Sequence, residues 1–237
     1  MSYPIIYLTL GYPTERKFFE ILKMLDTLNL KAVEIGIPDS DPKLDGKIIR
    51  ASHNIVMRRG YTSKKIHTML ETIMHHHNFE TVLMGYYKTL RTHSIIGNKS
   101  FKDAHLLCVD KQLTYHDHPK LIQLYHTEMD NDSILKRLKN NSLFVYLMTN
   151  RIGTGIALNP DEGSLQYTIE TLKNNTPLPV CLGFGIKAPK HATVAAKVGA
   201  DGIIIGSEFI KRSLHASVDD LKNYVIAMRT MFNTSQQ

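Results

Sequence analysis

The sequence predicts an α/β fold, a (β/α)8 TIM barrel that occupies residues 1–237 as one domain. Three observations carry that reading. Eight short apolar runs recur along the chain. Longer amphipathic stretches separate most of them. The length, 237 residues, suits one closed barrel of about 250 residues.

The strand-like runs are 5–10 (IIYLTL), 32–37 (AVEIGI), 81–86 (TVLMGY), 105–109 (HLLCV), 121–125 (LIQLY), 143–148 (LFVYLM), 179–182 (PVCL) and 202–205 (GIII). Their nearly unbroken hydrophobicity fits parallel strands covered on both faces. The first helix is expected over 14–28, where Phe18, Ile21, Leu22, Leu25 and Leu28 repeat at helical spacing. Thr62 and Ser63 are good cap types for a second helix to His75, with Ile66, Met69, Leu70 and Ile73 on one face. The stretches 130–138, 161–172, 189–198 and 218–231 read the same way. The links after the third and fourth strands are too short for full crossover helices. The last residues, from about 233, are expected to fray.

Composition narrows the function. Apolar residues make up 43% and charged residues 22%, an ordinary globular balance that excludes disorder and coiled coil. No apolar run approaches the ~18 residues of a membrane span. The N-terminus carries no basic leader. A soluble, cytoplasmic protein is expected, with no membrane partner. The net charge of +7 is dispersed, so nucleic acid is not expected as a partner. Cys108 and Cys181 lie inside apolar runs and read as buried, reduced thiols. His75, His76 and His77 fall on different faces of a helix end and do not form a metal site. The Asp-rich loop 38–46 lacks the ligand spacing of a calcium loop. No metal is expected.

In such barrels the site lies at the C-terminal ends of the strands. The second strand carries one carboxylate, Glu34, on the same side as the small residues Ala32 and Gly36. If that side faces inward, Glu34 is a buried acid with a raised pKa, suited to acid/base work near neutral pH. Glycines follow the sixth, seventh and eighth strands at Gly155, Gly185 and Gly206. Gly206 and Ser207 open a helix there. Backbone N–H groups at such positions can approach an anion, so these three loops suggest a phosphate site.

The motifs themselves resemble a known family. The segment Glu34-Ile35-Gly36-Ile37-Pro38, then Ser40-Asp41-Pro42 and Asp45-Gly46, resembles the long signature of the tryptophan synthase alpha subunit. Thr9-Leu10-Gly11-Tyr12-Pro13, Leu83-Met84-Gly85-Tyr86-Tyr87, Gly183-Phe184-Gly185-Ile186 and Gly206-Ser207 are similar to further motifs of that family, in the same order, from about residue 3 to 230. The resemblance implies a lyase that splits indole-3-glycerol phosphate into indole and glyceraldehyde 3-phosphate in tryptophan biosynthesis. It implies Glu34 as the acid/base group, Asp45 at the indole N–H and Tyr146 as an active-site tyrosine. It implies Gly155, Phe184, Gly185, Gly206 and Ser207 around the phosphate, and Thr154 in the loop over the site. It implies no cofactor on this chain, and a beta-subunit partner that carries pyridoxal phosphate, in an alpha2beta2-type complex.

Against the family pattern, Asp39 stands for a Phe, Leu44 for an Ala, and Glu208 follows Gly206-Ser207 in place of a small residue. The helix that plugs the barrel bottom is not expected, and the helices after strands three and four are expected to be shortened or missing. Two other readings remain open: a non-catalytic alpha-like subunit that activates a beta subunit, and another phosphate-dependent barrel enzyme.

Overall fold

A computed structural model describes residues 3–149, 162–183 and 185–236. Eight parallel strands form its centre: β1 (Tyr3–Thr9), β2 (Ala32–Gly36), β3 (Glu80–Gly85), β4 (His105–Cys108), β5 (Leu124–His126), β6 (Val145–Met148), β7 (Val180–Gly183) and β8 (Gly202–Ile205). They pair in the order β4-β3-β2-β1-β8-β7-β6-β5. The ends of that sheet meet. Leu106 bridges Leu121 in parallel; the Leu106 N–H donates to the Lys120 carbonyl at 2.9 Å, and the Ile122 N–H donates to the Leu106 carbonyl at 3.0 Å. The barrel is therefore closed, with its thinnest seam between β4 and β5.

The helices are α1 (Glu15–Thr27), α2 (Lys47–Met57), α3 (Ser63–His76), α4 (Tyr87–Thr92), α5 (Asn131–Leu138), α6 (Glu162–Asn175), α7 (Pro189–Lys197), α8 (Ser207–His215) and α9 (Val218–Thr234). Their starts follow local chemistry. The Thr14 and Thr62 side chains accept from the Lys17 and Lys65 N–H groups, and Ser217 and Asp220 close a reciprocal capping box. The link after β3 holds only α4 and a 3-10 turn at Lys99–Phe101, and the link from β4 to β5 holds no helix. The tail expected to fray from about 233 remains helical to Thr234. Cys181 is buried, whereas Cys108 is only half-buried; both are free thiols.

Alternation along each strand sorts the side chains. One set, Ile6, Leu8, Val33, Ile35, Leu147, Leu182, Ile203 and Ile205, is fully buried between strands and helices. The other set faces the barrel interior and holds Tyr7, Glu34, Met84, Tyr146 and Ile204, which share one cavity. No helix among the described residues is long and apolar enough to cross a membrane.

Candidate active site

The cavity opens at the C-terminal ends of the strands, where small-molecule sites of such barrels lie. It is lined by Tyr7, Glu34, Asp45, Ile49, Met84, Tyr146, Gly185, Ile186, Ile204, Gly206 and Ser207. Six residues expected from the sequence thus converge: Glu34, Asp45, Tyr146, Gly185, Gly206 and Ser207. Thr154, Gly155 and Phe184 lie outside the described residues.

Glu34 sits at the middle of β2, beside Tyr7 of β1 and Val82 of β3 in the parallel register. It is 1% exposed, and among the described residues neither carboxyl oxygen has a hydrogen-bond partner. Removal from water penalises the charged form, so its pKa is raised from 4.5 to about 8. Glu34 is thus a neutral carboxylic acid at pH 7, with a free proton to give. The expectation that the small-residue side of β2 faces inward is met.

Asp45 comes from the loop between β2 and α2. Desolvation raises its pKa to about 6, opposed by the Tyr86 hydroxyl and by the nearby Arg50 charge. The Tyr86 hydroxyl donates to Asp45 Oδ2 at 2.9 Å and accepts from the Leu44 N–H at 2.9 Å. Arg50 holds the same loop by donating to the Asp45 and Lys43 carbonyls, each at 2.7 Å. The two cavity carboxyls therefore differ at neutral pH: one is protonated, the other ionised. Environments that push a pair apart in this way assign an acid and a charge-stabilising base.

Tyr146 rises from β6 and is buried. Its ring lies over Gly183 of β7, where an added Cβ would stand 2.4 Å from Tyr146 Cε1. Only glycine at 183 leaves that ring its place. Burial holds the Tyr146 hydroxyl well above its usual pKa, reinforced by Glu34 and Asp45, so it remains a neutral donor.

Gly206 precedes α8, and Ser207 is its first helical residue. The positive end of this nine-residue helix meets the cavity, which Gly206 and Ser207 line. Gly185 has φ +79°, the left-handed region that favours glycine. The Glu208 carboxylate, one residue into α8, is drawn back along the helix. It accepts from Arg212 Nε at 2.8 Å, and Arg212 in turn lies 4.3 Å from the Tyr224 ring centre. Asp39, the other unusual carboxylate, is buried in the loop. It accepts from the Asp41 N–H at 2.6 Å and from the Thr89 hydroxyl.

Sequence reasoning did not single out Tyr7, Ile49, Met84, Ile186 and Ile204 of the lining as site residues, nor Tyr86, which holds Asp45. For Tyr7 the signal was present, since alternation along β1 places it on the inner face with Ile5. Among the described residues no three His, Cys, Asp or Glu side chains are grouped to hold a metal ion.

Comparison with known proteins shows the family. The family model described as tryptophan synthase alpha chain matches residues 3–106 and 108–237. The tryptophan synthase alpha chain of Staphylococcus epidermidis is 33% identical over 235 residues, covering 92% of this chain and 94% of that one. The Helicobacter pylori protein of the same name is 28% identical over 243 residues, covering 94% and 92%. Among solved structures, the tryptophan synthase subunit alpha of Campylobacter jejuni superposes with a TM-score of 0.78 at 24% identity, covering 96% of this chain and 95% of that one. A chain of the Pyrococcus furiosus tryptophan synthase complex gives 0.78 at 24%, covering 95% and 97%. By family model and by identity, this chain belongs to the tryptophan synthase alpha chain family.

Proposed function

We propose that this chain is a lyase that cleaves indole-3-glycerol phosphate to indole and glyceraldehyde 3-phosphate. The observation that carries the reading is the pair of carboxyls in one cavity, the unpartnered acid Glu34 and the anchored carboxylate Asp45. In this scheme the Glu34 proton goes to the indole ring carbon that bears the glycerol chain. Asp45 accepts from the ring N–H and stabilises the positive charge that develops there. The Glu34 carboxylate then removes the proton of the adjacent chain hydroxyl. The C–C bond breaks, its electron pair restores the aromatic ring, and the chain carbon becomes an aldehyde. Glu34 ends protonated, ready for another turn.

The remaining cavity residues serve binding. Tyr7, Tyr146, Ile49, Met84 and Ile204 supply a flat apolar slot for an indole. Gly185, Gly206 and Ser207, at the positive end of α8, suit the phosphate. By family resemblance Gly155 and Phe184 join that phosphate site, and Thr154 belongs to the loop over it. The withdrawal of Glu208 toward Arg212 supports a phosphate at this helix end despite the added carboxylate. The chemistry needs no cofactor on this chain. Pyridoxal phosphate belongs to the beta partner, and the Pyrococcus furiosus relative is described as part of an a2b2 complex. A stoichiometric assay tests the reading: one indole and one glyceraldehyde 3-phosphate should appear per substrate consumed, with or without a beta subunit. Stimulation of a beta subunit with no substrate consumed would favour a purely activating role.

A further inference from the structure

Tyr7 is the register neighbour of Glu34, and its ring crosses the face of Gly36. A Cβ at Gly36 would fall 2.1 Å from the Tyr7 hydroxyl. Beyond Gly36 that hydroxyl meets α2. It lies 3.1 Å from His53 Nε2 and 3.4 Å from Thr9 Oγ1. Thr9 Oγ1 is 2.6 Å from Ser52 Oγ. Tyr7, Thr9, Ser52 and His53 are all buried.

Two ends of this cluster cannot be reversed, and they set every direction between them. The Asp39 backbone N–H can only donate, and it donates to His53 Nδ1 at 2.9 Å. In the neutral ring the hydrogen is therefore on Nε2, which donates to the Tyr7 oxygen. At the far end the Ile49 carbonyl can only accept, and the Ser52 hydroxyl donates to it at 2.7 Å. The Ser52 hydrogen is thus committed, so Thr9 donates to Ser52. The Thr9 oxygen is left to accept from Tyr7. The chain runs one way, from Asp39 through His53, Tyr7, Thr9 and Ser52 to Ile49. Burial depresses the His53 pKa to about 4, which keeps the ring neutral.

We propose that His53 is a positioning residue that acts through Tyr7, holding its ring as a fixed cavity wall whose hydroxyl has no hydrogen bond to offer Glu34. Two consequences follow, and both rest on the lyase reading. A flat substrate ring meets a wall of set position. The Glu34 carboxyl receives nothing from its register neighbour Tyr7 and stays an unpaired acid. Hydrogen bonds to a carboxylate favour its charged form, so a Tyr7 hydroxyl turned toward Glu34 would work against proton donation.

A double-mutant cycle tests this, on indole release from indole-3-glycerol phosphate. His53→Leu should lower kcat/KM by about tenfold, the effect of ~1.4 kcal/mol, and Tyr7→Phe by a similar factor. The double variant should be no worse than either single one, because both break the same link. His53→Gln, which keeps a donor for Tyr7, should restore activity to within about threefold of wild type. Independently, 15N NMR of the wild type at pH 7 should show His53 with its hydrogen on Nε2. Multiplicative losses in the double variant, a His53→Leu protein as active as an active wild type, or an Nδ1-H or charged His53 ring would overturn the proposal. A wild type that releases no indole overturns the lyase reading and the positioning role with it, while the NMR spectrum still decides the direction of the relay.

Discussion

Glu34→Gln should make this protein more stable while it removes the acid. Gln is nearly isosteric with the protonated carboxyl, and both are neutral, so packing and desolvation of the buried group are about equal. What differs is titration. Unfolded, Glu34 loses its proton near 4.5; folded, burial holds the proton to about pH 8. Between those values the folded protein binds the extra proton, so wild-type stability falls as pH rises, by about 1.4 kcal/mol per pH unit. Below pH 4.5 nothing is lost. At pH 7 the deficit has grown to about 3 kcal/mol, and above pH 8 it is constant. Gln at 34 has no such dependence. Urea denaturation at pH 5 and pH 7.5 measures it. The variant should exceed wild type by less than about 1 kcal/mol at pH 5 and by about 4 kcal/mol at pH 7.5, the latter about 8–16 °C in Tm for a chain of this size. Equal pH dependence in the two proteins would refute the claim that Glu34 is buried without a partner.

Other expectations follow from the same geometry. Glu34 must be protonated and Asp45 ionised in the free enzyme, so kcat/KM should rise with pH through about 6 and fall through about 8; a steady-state pH profile checks both limbs. Tyr86→Phe removes the hydrogen bond that holds Asp45 and should lower kcat/KM by about tenfold to a hundredfold, the range for a bond to a charged group, and move the lower limb upward. Gly183→Ala would place a methyl 2.4 Å from the Tyr146 ring. It should lower Tm and abolish indole release together, read by calorimetry and the same assay.

The barrel was legible because its signal is redundant. Each strand is apolar on both faces, and most helices carry an apolar stripe, so eight repeats agree. Helix α2 was not legible, and the reason is physical. Its buried face is Ile49, Ser52, His53 and Val56. Two of those four are polar, and they are buried because they bond to Tyr7, Thr9 and the Asp39 backbone. A helix that spends half its inner face on a polar relay loses the periodicity that reveals helices. The seam at β4 and β5 was blurred for a different reason. There Leu121 makes a single bridge and the strand proper starts at Leu124, so the apolar run and the hydrogen-bonded run are offset. Glu34 was readable as a charge in an apolar strand. Asp45 was carried by family resemblance alone, because an Asp in a loop of Asp, Pro and Gly looks like turn chemistry. Tyr86, which holds Asp45 from another loop, needs the three-dimensional structure to be seen.

The most direct test of the account is indole release from indole-3-glycerol phosphate by wild type and Glu34→Gln, each alone and mixed with a beta subunit. The account predicts release by wild type and none above background by the variant, although the variant is folded and more stable at neutral pH. Release by Glu34→Gln at the wild-type rate, or none by wild type in any mixture, would contradict it.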